Sequence, residues 1–228
     1  MWNTLADLSL PRCCPGCGAA EPWCPACARQ LGGRPRRARL PETSGSEPPL
    51  LPDTYALARY RGPVRAAILA AKEHGRRDLP ALLGKALGVG LARLVAIAVV
   101  LLPVWLVPAP TRPSVARSRG GDPVTWMARA AATELIGRGF VAGVAPCLFT
   151  ARGARDSVGL DAQARIANLR GRIGWRSPAA PPPGAAVVVI DDVLTTGATA
   201  AGASLVLAAH NHPVQLFLTL AAVPPLVA

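Results

Sequence analysis

The chain has 228 residues, 51% of them hydrophobic and 17% charged, and its 25 Lys+Arg against 13 Asp+Glu give a net charge of +12. That length can bury a full core, and that composition excludes a chain that is mostly solvated and disordered. The 22 glycines and 24 prolines demand many loops, and 4% aromatic residues are too few for a surface that works mainly by stacking bases. The positive charge, carried by arginine except at Lys72 and Lys85, favours polyanions (nucleic acid, acidic lipid or phosphorylated small molecules) without selecting among them.

The N-terminus, MWNTLADLSLPRCC, has no basic segment leading into an apolar run, so no secretory signal and a cytoplasmic location are expected. Five of the 6 cysteines fall between positions 13 and 27. Cys14-Pro15-Gly16-Cys17 and Cys24-Pro25-Ala26-Cys27 are two C-x-x-C units, and thiolates at i and i+3 of a tight turn can face one ion. Gly18 permits the positive φ that turns backbone N–H groups toward sulfur. Four sulfurs suit a tetrahedral structural Zn²⁺, so residues 1–33 read as a small zinc ribbon. The alternatives are a disulfide framework or a thiol redox pair. Cys13 reads as a bystander that can exchange roles with Cys14, and Cys147 as a buried apolar residue.

Residues 34–53 change character. Arg34–Arg39 is a basic run, and Leu40–Asp53 carries four prolines with Ser, Gly and Glu, so the segment reads as a linker or extended tether. From 54 to 228 the pattern alternates between helix and strand. Val64–Lys72 and Leu79–Val99 read as helices. Leu94–Val107 is a charge-free stretch interrupted by Pro103, too short to span a bilayer, so it reads as a core helix running into a buried strand at Val104–Val107. Asp122 and Pro123 open a helix to about Ile136. Val144–Phe149 reads as a strand and Ala162–Arg170 as a helix capped by Asp161. Trp175–Gly184 reads as a proline-rich loop, Val187–Ile190 as a buried strand, Ala198–Ala209 as a helix and Val214–Leu220 as the last strand. Short apolar strands between helices predict an α/β fold with a parallel sheet covered on both faces, and such folds bind ligands beyond the carboxyl ends of the strands.

Chemistry is concentrated at the end of Val187–Ile190. Asp191 and Asp192 follow the strand, and the turn Thr195-Thr196-Gly197-Ala198-Thr199 opens the next helix. Adjacent carboxylates on a buried strand are costly unless something binds them. A helix N-terminus with free N–H groups and threonine hydroxyls is a phosphate cradle. A ribose 5-phosphate satisfies both halves, with its hydroxyls on the acids and its phosphate in the turn. The competing reading is a strand that simply ends in a capped loop. His74, His210 and His212 are scattered and read as surface or loop residues.

The segment Val187–Thr199 resembles the phosphoribosyl-diphosphate (PRPP) loop of type I phosphoribosyltransferases. The whole chain resembles the ComF family of bacterial proteins, associated with competence and DNA uptake, in which a cysteine-rich head precedes a phosphoribosyltransferase-like domain. The resemblance rests on Cys14, Cys17, Cys24 and Cys27, Tyr60-Arg61-Gly62 with Lys72, Val107-Pro108-Ala109-Pro110, Arg117-Ser118-Arg119-Gly120-Gly121, and Arg155–Gly171 with Gly159-Leu160, Arg165 and Asn168-Leu169. It implies that Asp191 and Asp192 face the ribose hydroxyls of PRPP, and that Thr195, Thr196, Gly197, Ala198 and Thr199 hold its 5′-phosphate. It further implies that Mg²⁺ rides on the ligand's oxygens and that Arg117, Arg119 and Lys72 approach the pyrophosphate. A solvated basic loop is the other reading of the two arginines, and a cation at a helix C-terminus that of Lys72. Gly121-Asp122-Pro123 stands where the family commonly has an aromatic residue, asparagine and glutamine, and Ser157 where relatives often carry glutamine. These departures bear on turnover more than on phosphate binding. Two functions follow as expectations: transfer of phosphoribosyl from PRPP to a nitrogen acceptor, in DNA uptake or nucleotide metabolism, or a non-catalytic accessory role. In the accessory role the zinc head and arginines contact single-stranded DNA or uptake proteins.

Overall fold

The computed structural model describes residues 13–39, 52–111, 121–150 and 173–227. Its centre is a seven-stranded sheet of β1 (Arg36–Ala38), β2 (Asp53–Arg59), β3 (Val104–Pro108), β4 (Ala142–Val144), β7 (Ala186–Leu194), β8 (Val214–Ala222) and β9 (Leu226–Val227), in the order β4-β3-β7-β8-β2-β1-β9. The five strands from β4 to β2 are parallel, while β1 runs antiparallel to both β2 and β9. A separate antiparallel pair joins β5 (Leu148–Thr150) to β6 (Ile173–Trp175). The chain is therefore mixed α/β with a mostly parallel sheet, and β7 and β8, central and apolar along most of their length, are buried on both faces.

Helices cover the sheet. After a short helix α1 (Pro25–Ala28) come α2 (Gly62–Glu73), α3 (Leu79–Ala96), α4 (Pro123–Gly137) and α5 (Ala198–Ala209). Leucines at 79, 83, 87, 91 and 94 give α3 one continuous buried stripe, which packs on α4 and reaches β8. By length and mean hydropathy of 1.5, α3 is apolar enough to cross a membrane, but these five leucines belong to the main core. The approach of α3 to α4 needs glycine: a Cβ on Gly84 would lie 2.3 Å from the Met127 carbonyl oxygen, and one on Gly88 2.7 Å from that of Ala131.

Several elements differ from the sequence expectation. Residues 36–38, read within a linker, form β1, and Asp53 already opens β2. The strand expected at Val144–Phe149 is two, β4 and β5, because the chain leaves the main sheet between them. Part of the expected loop at Trp175 belongs to β6. β7 continues through Leu194, so Asp191 and Asp192 lie inside the strand rather than beyond it. The helix expected at Ala162–Arg170 lies outside the described residues.

Candidate functional site

Strand order positions the site. From β3 the chain crosses through α4 to β4 on one side, whereas from β7 it crosses through α5 to β8 on the other. Adjacent parallel strands whose connections diverge leave a crevice at their carboxyl ends, where ligands of such sheets bind. A cleft of about 470 Å³ lies there. Asp191, Asp192, Val193, Thr195 and Thr199 supply its β7 side, and Ala109, Pro110 and Thr111 follow from β3. Tyr60 with Ile68, Leu69, Lys72 and Glu73 of α2 forms a wall.

The two carboxylates have different environments. Successive strand residues point to opposite faces. Asp192 is 2% exposed, and its Oδ2 makes no regular hydrogen bond but lies 2.6 Å from Lys72 Nζ, whose side chain keeps 33% exposure. Asp191 turns back on its own backbone, its Oδ1 accepting from the Asp192 N–H at 2.8 Å. It keeps part of its surface open, yet surrounding protein strips it of water. That desolvation, reinforced by the Asp192 charge, holds its carboxyl well above the ordinary carboxylate range. Lys72 and the Asp192 N–H pull the other way without prevailing.

Beyond Leu194 the chain turns through exposed Thr195 and Thr196 into Gly197, which takes the left-handed conformation (φ 78°, ψ 2°) at the N-cap of α5. No side chain caps this helix, so its first amides keep their hydrogen-bonding capacity for something else. Thr195 and Thr199 line the cleft, while Thr196, Gly197 and Ala198 belong to the turn without lining it. Sequence reasoning named Tyr60 in the helix-opening motif without placing it in the cleft, and missed Glu73 beside Lys72. Asp122 opens α4 as expected: its Oδ1 accepts from the Val124 N–H at 3.1 Å and from Thr111 Oγ1 at 2.9 Å, and its Oδ2 from Thr125 Oγ1 at 2.6 Å. Those three donors occupy both oxygens of the Asp122 carboxylate. Arg117 and Arg119, with the Arg155–Gly171 segment, lie outside the described residues.

The head forms a second centre. Cys14, Cys17, Cys24 and Cys27 bring their sulfurs within 4.8 Å of one another, three of the four buried. The Cys17–Cys24 sulfurs are 3.5 Å apart, against about 3.8 Å for the edge of a tetrahedron with Zn–S bonds near 2.3 Å. A disulfide needs about 2.05 Å, and all six cysteines are free. Gly18 has the positive φ (80°) expected of it. Burial pushes the Cys14 thiol up, but hydrogen bonds from the backbone of Cys24, Gly16 and Cys17 outweigh it and bring the group down to about 6. Burial and the neighbouring thiols push Cys27 up instead. Such a crowded, closed sulfur set fits a structural zinc ion, which neutralises charges that the thiols alone resist acquiring. Cys13 is exposed, so Cys14 and not Cys13 belongs to the cluster. Cys147 is fully buried and its thiol is pushed up to about 11 by that burial, an apolar packing residue as expected. In comparisons with known proteins, no family model matches the chain, and no curated protein matches it significantly.

Proposed function

We propose that the cleft binds a phosphorylated ribose, PRPP or a related ribose 5-phosphate, and that the chain is a phosphoribosyltransferase-like protein of the ComF type. One observation carries this reading: carboxylates of β7 and the uncapped, glycine-entered N-terminus of α5 meet in a single cleft at the switch point of a parallel sheet. The two halves have opposite appetites. Amides and hydroxyls at Thr195–Thr199 favour a phosphate, and the carboxylates accept hydrogen bonds from sugar hydroxyls. Asp191 is the nearer to an open acceptor, because Asp192 is already committed to Lys72.

In the transferase reading a nitrogen acceptor attacks C1 of the ribose as pyrophosphate leaves through an oxocarbenium-like transition state. Mg²⁺ bound together with the ligand would supply charge neutralisation for the leaving pyrophosphate. Lys72 and the arginines at 117 and 119 are the chain's cations for the same task. The resemblance connects this chemistry with DNA uptake or nucleotide metabolism in the cytoplasm.

Calorimetric titration with Mg²⁺–PRPP and with ribose 5-phosphate tests the reading beside an Asp191→Asn/Asp192→Asn double variant. Binding by the wild type and its loss in a variant of unchanged zinc content that still melts cooperatively are expected. Absence of binding to folded, zinc-loaded wild type would sink the proposal. It would favour the accessory role, measured by salt-dependent binding to single-stranded DNA.

A further inference from the structure

The cysteine head grips both ends of α2. At the front, Gly16 lies against Pro63 in the first turn of the helix, where a Cβ would sit 2.6 Å from Pro63 Cβ and 2.8 Å from Cys27 Sγ. Just past the far end, Arg76 reaches back into the head: its Nη1 donates to the Cys13 carbonyl at 2.8 Å and its Nη2 to that of Pro22 at 3.1 Å. Asp78 fixes the same guanidinium through Nε at 2.9 Å and Nη2 at 2.8 Å. One planar fork thus joins two carbonyls of the head to a carboxylate of the domain, a task suited to arginine and not to a point charge. The 3₁₀ turn of the head, Arg29–Leu31, also touches α2, and Trp23 packs on both the cysteines and the main core.

The opposite side of α2 faces the cleft. It presents Leu69, Glu73 and Lys72, the last reaching Asp192 on β7. Within the domain α2 buries Val64, Ala67, Ile68, Ala70 and Ala71 in the main core, and the head adds restraint at its two ends.

We propose that the metal-bearing head is a clamp on α2, with Gly16 and Arg76 as positioning residues that hold Lys72 against Asp192, so that metal loading of the head and ligand binding in the cleft are linked. The ligand-binding half of this statement rests on the phosphoribose reading; the clamp itself does not. Linkage is reciprocal, so a cleft ligand also slows loss of the metal.

The chain supplies its own control, since Lys72 and Lys85 are its two lysines and Lys85 is exposed on α3 in a groove against α4. The test compares wild type, wild type stripped with a chelator, and Arg76→Met, which leaves every cysteine in place. Amide hydrogen exchange across residues 62–73, the ratio of Lys72 to Lys85 acetylation, zinc content and affinity for ribose 5-phosphate are read on each. Arg76→Met is expected to keep its zinc yet exchange the α2 amides and acetylate Lys72 faster by about tenfold, with unchanged exchange in α4. The chelated protein is expected to do the same. Ribose 5-phosphate affinity falls by a similar factor in both, a coupling within the ordinary range for linked sites. Wild-type exchange and labelling ratios in both samples would overturn the clamp. If Arg76→Met does not fold, Arg76→Lys takes its place, because a single ammonium cannot bridge both carbonyls and Asp78; an Arg76→Lys protein with wild-type labelling overturns the clamp equally. Should ribose 5-phosphate bind none of the samples, the function reading fails while exchange and labelling still decide the clamp.

Discussion

Two neighbouring aspartates on one strand acquire different chemistry from their surroundings. Asp192 is buried with an ammonium 2.6 Å away, whereas Asp191 has only backbone for a close donor and is held high by desolvation. A carboxyl raised above its unfolded value stabilises the fold below the ordinary carboxylate range, and that contribution is lost as pH rises through the folded value. Asp191→Asn, which cannot ionise, is therefore expected to melt higher than wild type at pH 7. For about 1 kcal/mol the gain is roughly 2–4 °C in a protein of this size. The two proteins draw together as pH falls toward about 3, below the ordinary carboxylate range, where the wild-type carboxyl carries its proton in both states. A thermal-melt series from pH 4 to 8 checks the sign, and equal melting temperatures at pH 7 would contradict it. The acid pair was legible as a pair because adjacent carboxylates after an apolar run are rare without a partner. Their division of roles was not, since it depends on Lys72, far away in the chain.

At the scale of elements, apolar periodicity located most helices and the central strands. The helix ends followed local chemistry: Pro63 and Pro123 sit in first turns, Asp122 caps α4, and Gly197 enters α5. The short strands β1, β6 and β9 escaped, because two or three residues carry no period and form only where a neighbouring edge supplies hydrogen bonds. The α3–α4 contact escaped too, since glycines inside a helix look like defects until the partner helix is in place. Gly84→Ala improves helix propensity by about 1 kcal/mol, but its Cβ collides with the Met127 backbone, and overpacking of this kind costs about 1–3 kcal/mol. The variant is expected to melt lower than wild type. Gly137→Ala, at the end of α4 with nothing within 4 Å, should melt at or above it. A stabilised Gly84→Ala would show that the two helices can separate at no cost.

Across the whole molecule, head and domain share one core boundary: Leu31 belongs to the main core, the Arg39 N–H donates to the Pro225 carbonyl at 2.8 Å, and β9 closes the edge of β1. This docking also settles which cysteines converge, since the Cys13 carbonyl is held by Arg76 while its neighbour turns inward to the sulfurs. Purified protein is expected to carry one zinc per chain. Cys14→Ser and Cys27→Ser should lose it, Cys13→Ser and Cys147→Ser should keep it, and atomic absorption distinguishes the four. Occupancy should also decline on acidification, because protons compete with zinc for the four sulfurs. Zinc retained by Cys14→Ser and lost by Cys13→Ser would reverse the assignment.

The sequence alone determined what is local: a four-sulfur head from doubled C-x-x-C spacing, an α/β alternation from apolar runs and caps, and an acid pair joined to a phosphate-type turn. Each of these depends on residues within a few positions of one another, so spacing carries the information. What depends on strand order and on contacts across long separations emerges only once the chain is packed. Packing put β3 beside β7 to open the cleft, paired Lys72 with Asp192, and laid α2 between the head and the cleft. Those outcomes follow from how buried faces pack against one another, and periodicity along a single segment does not record the partner of its buried face.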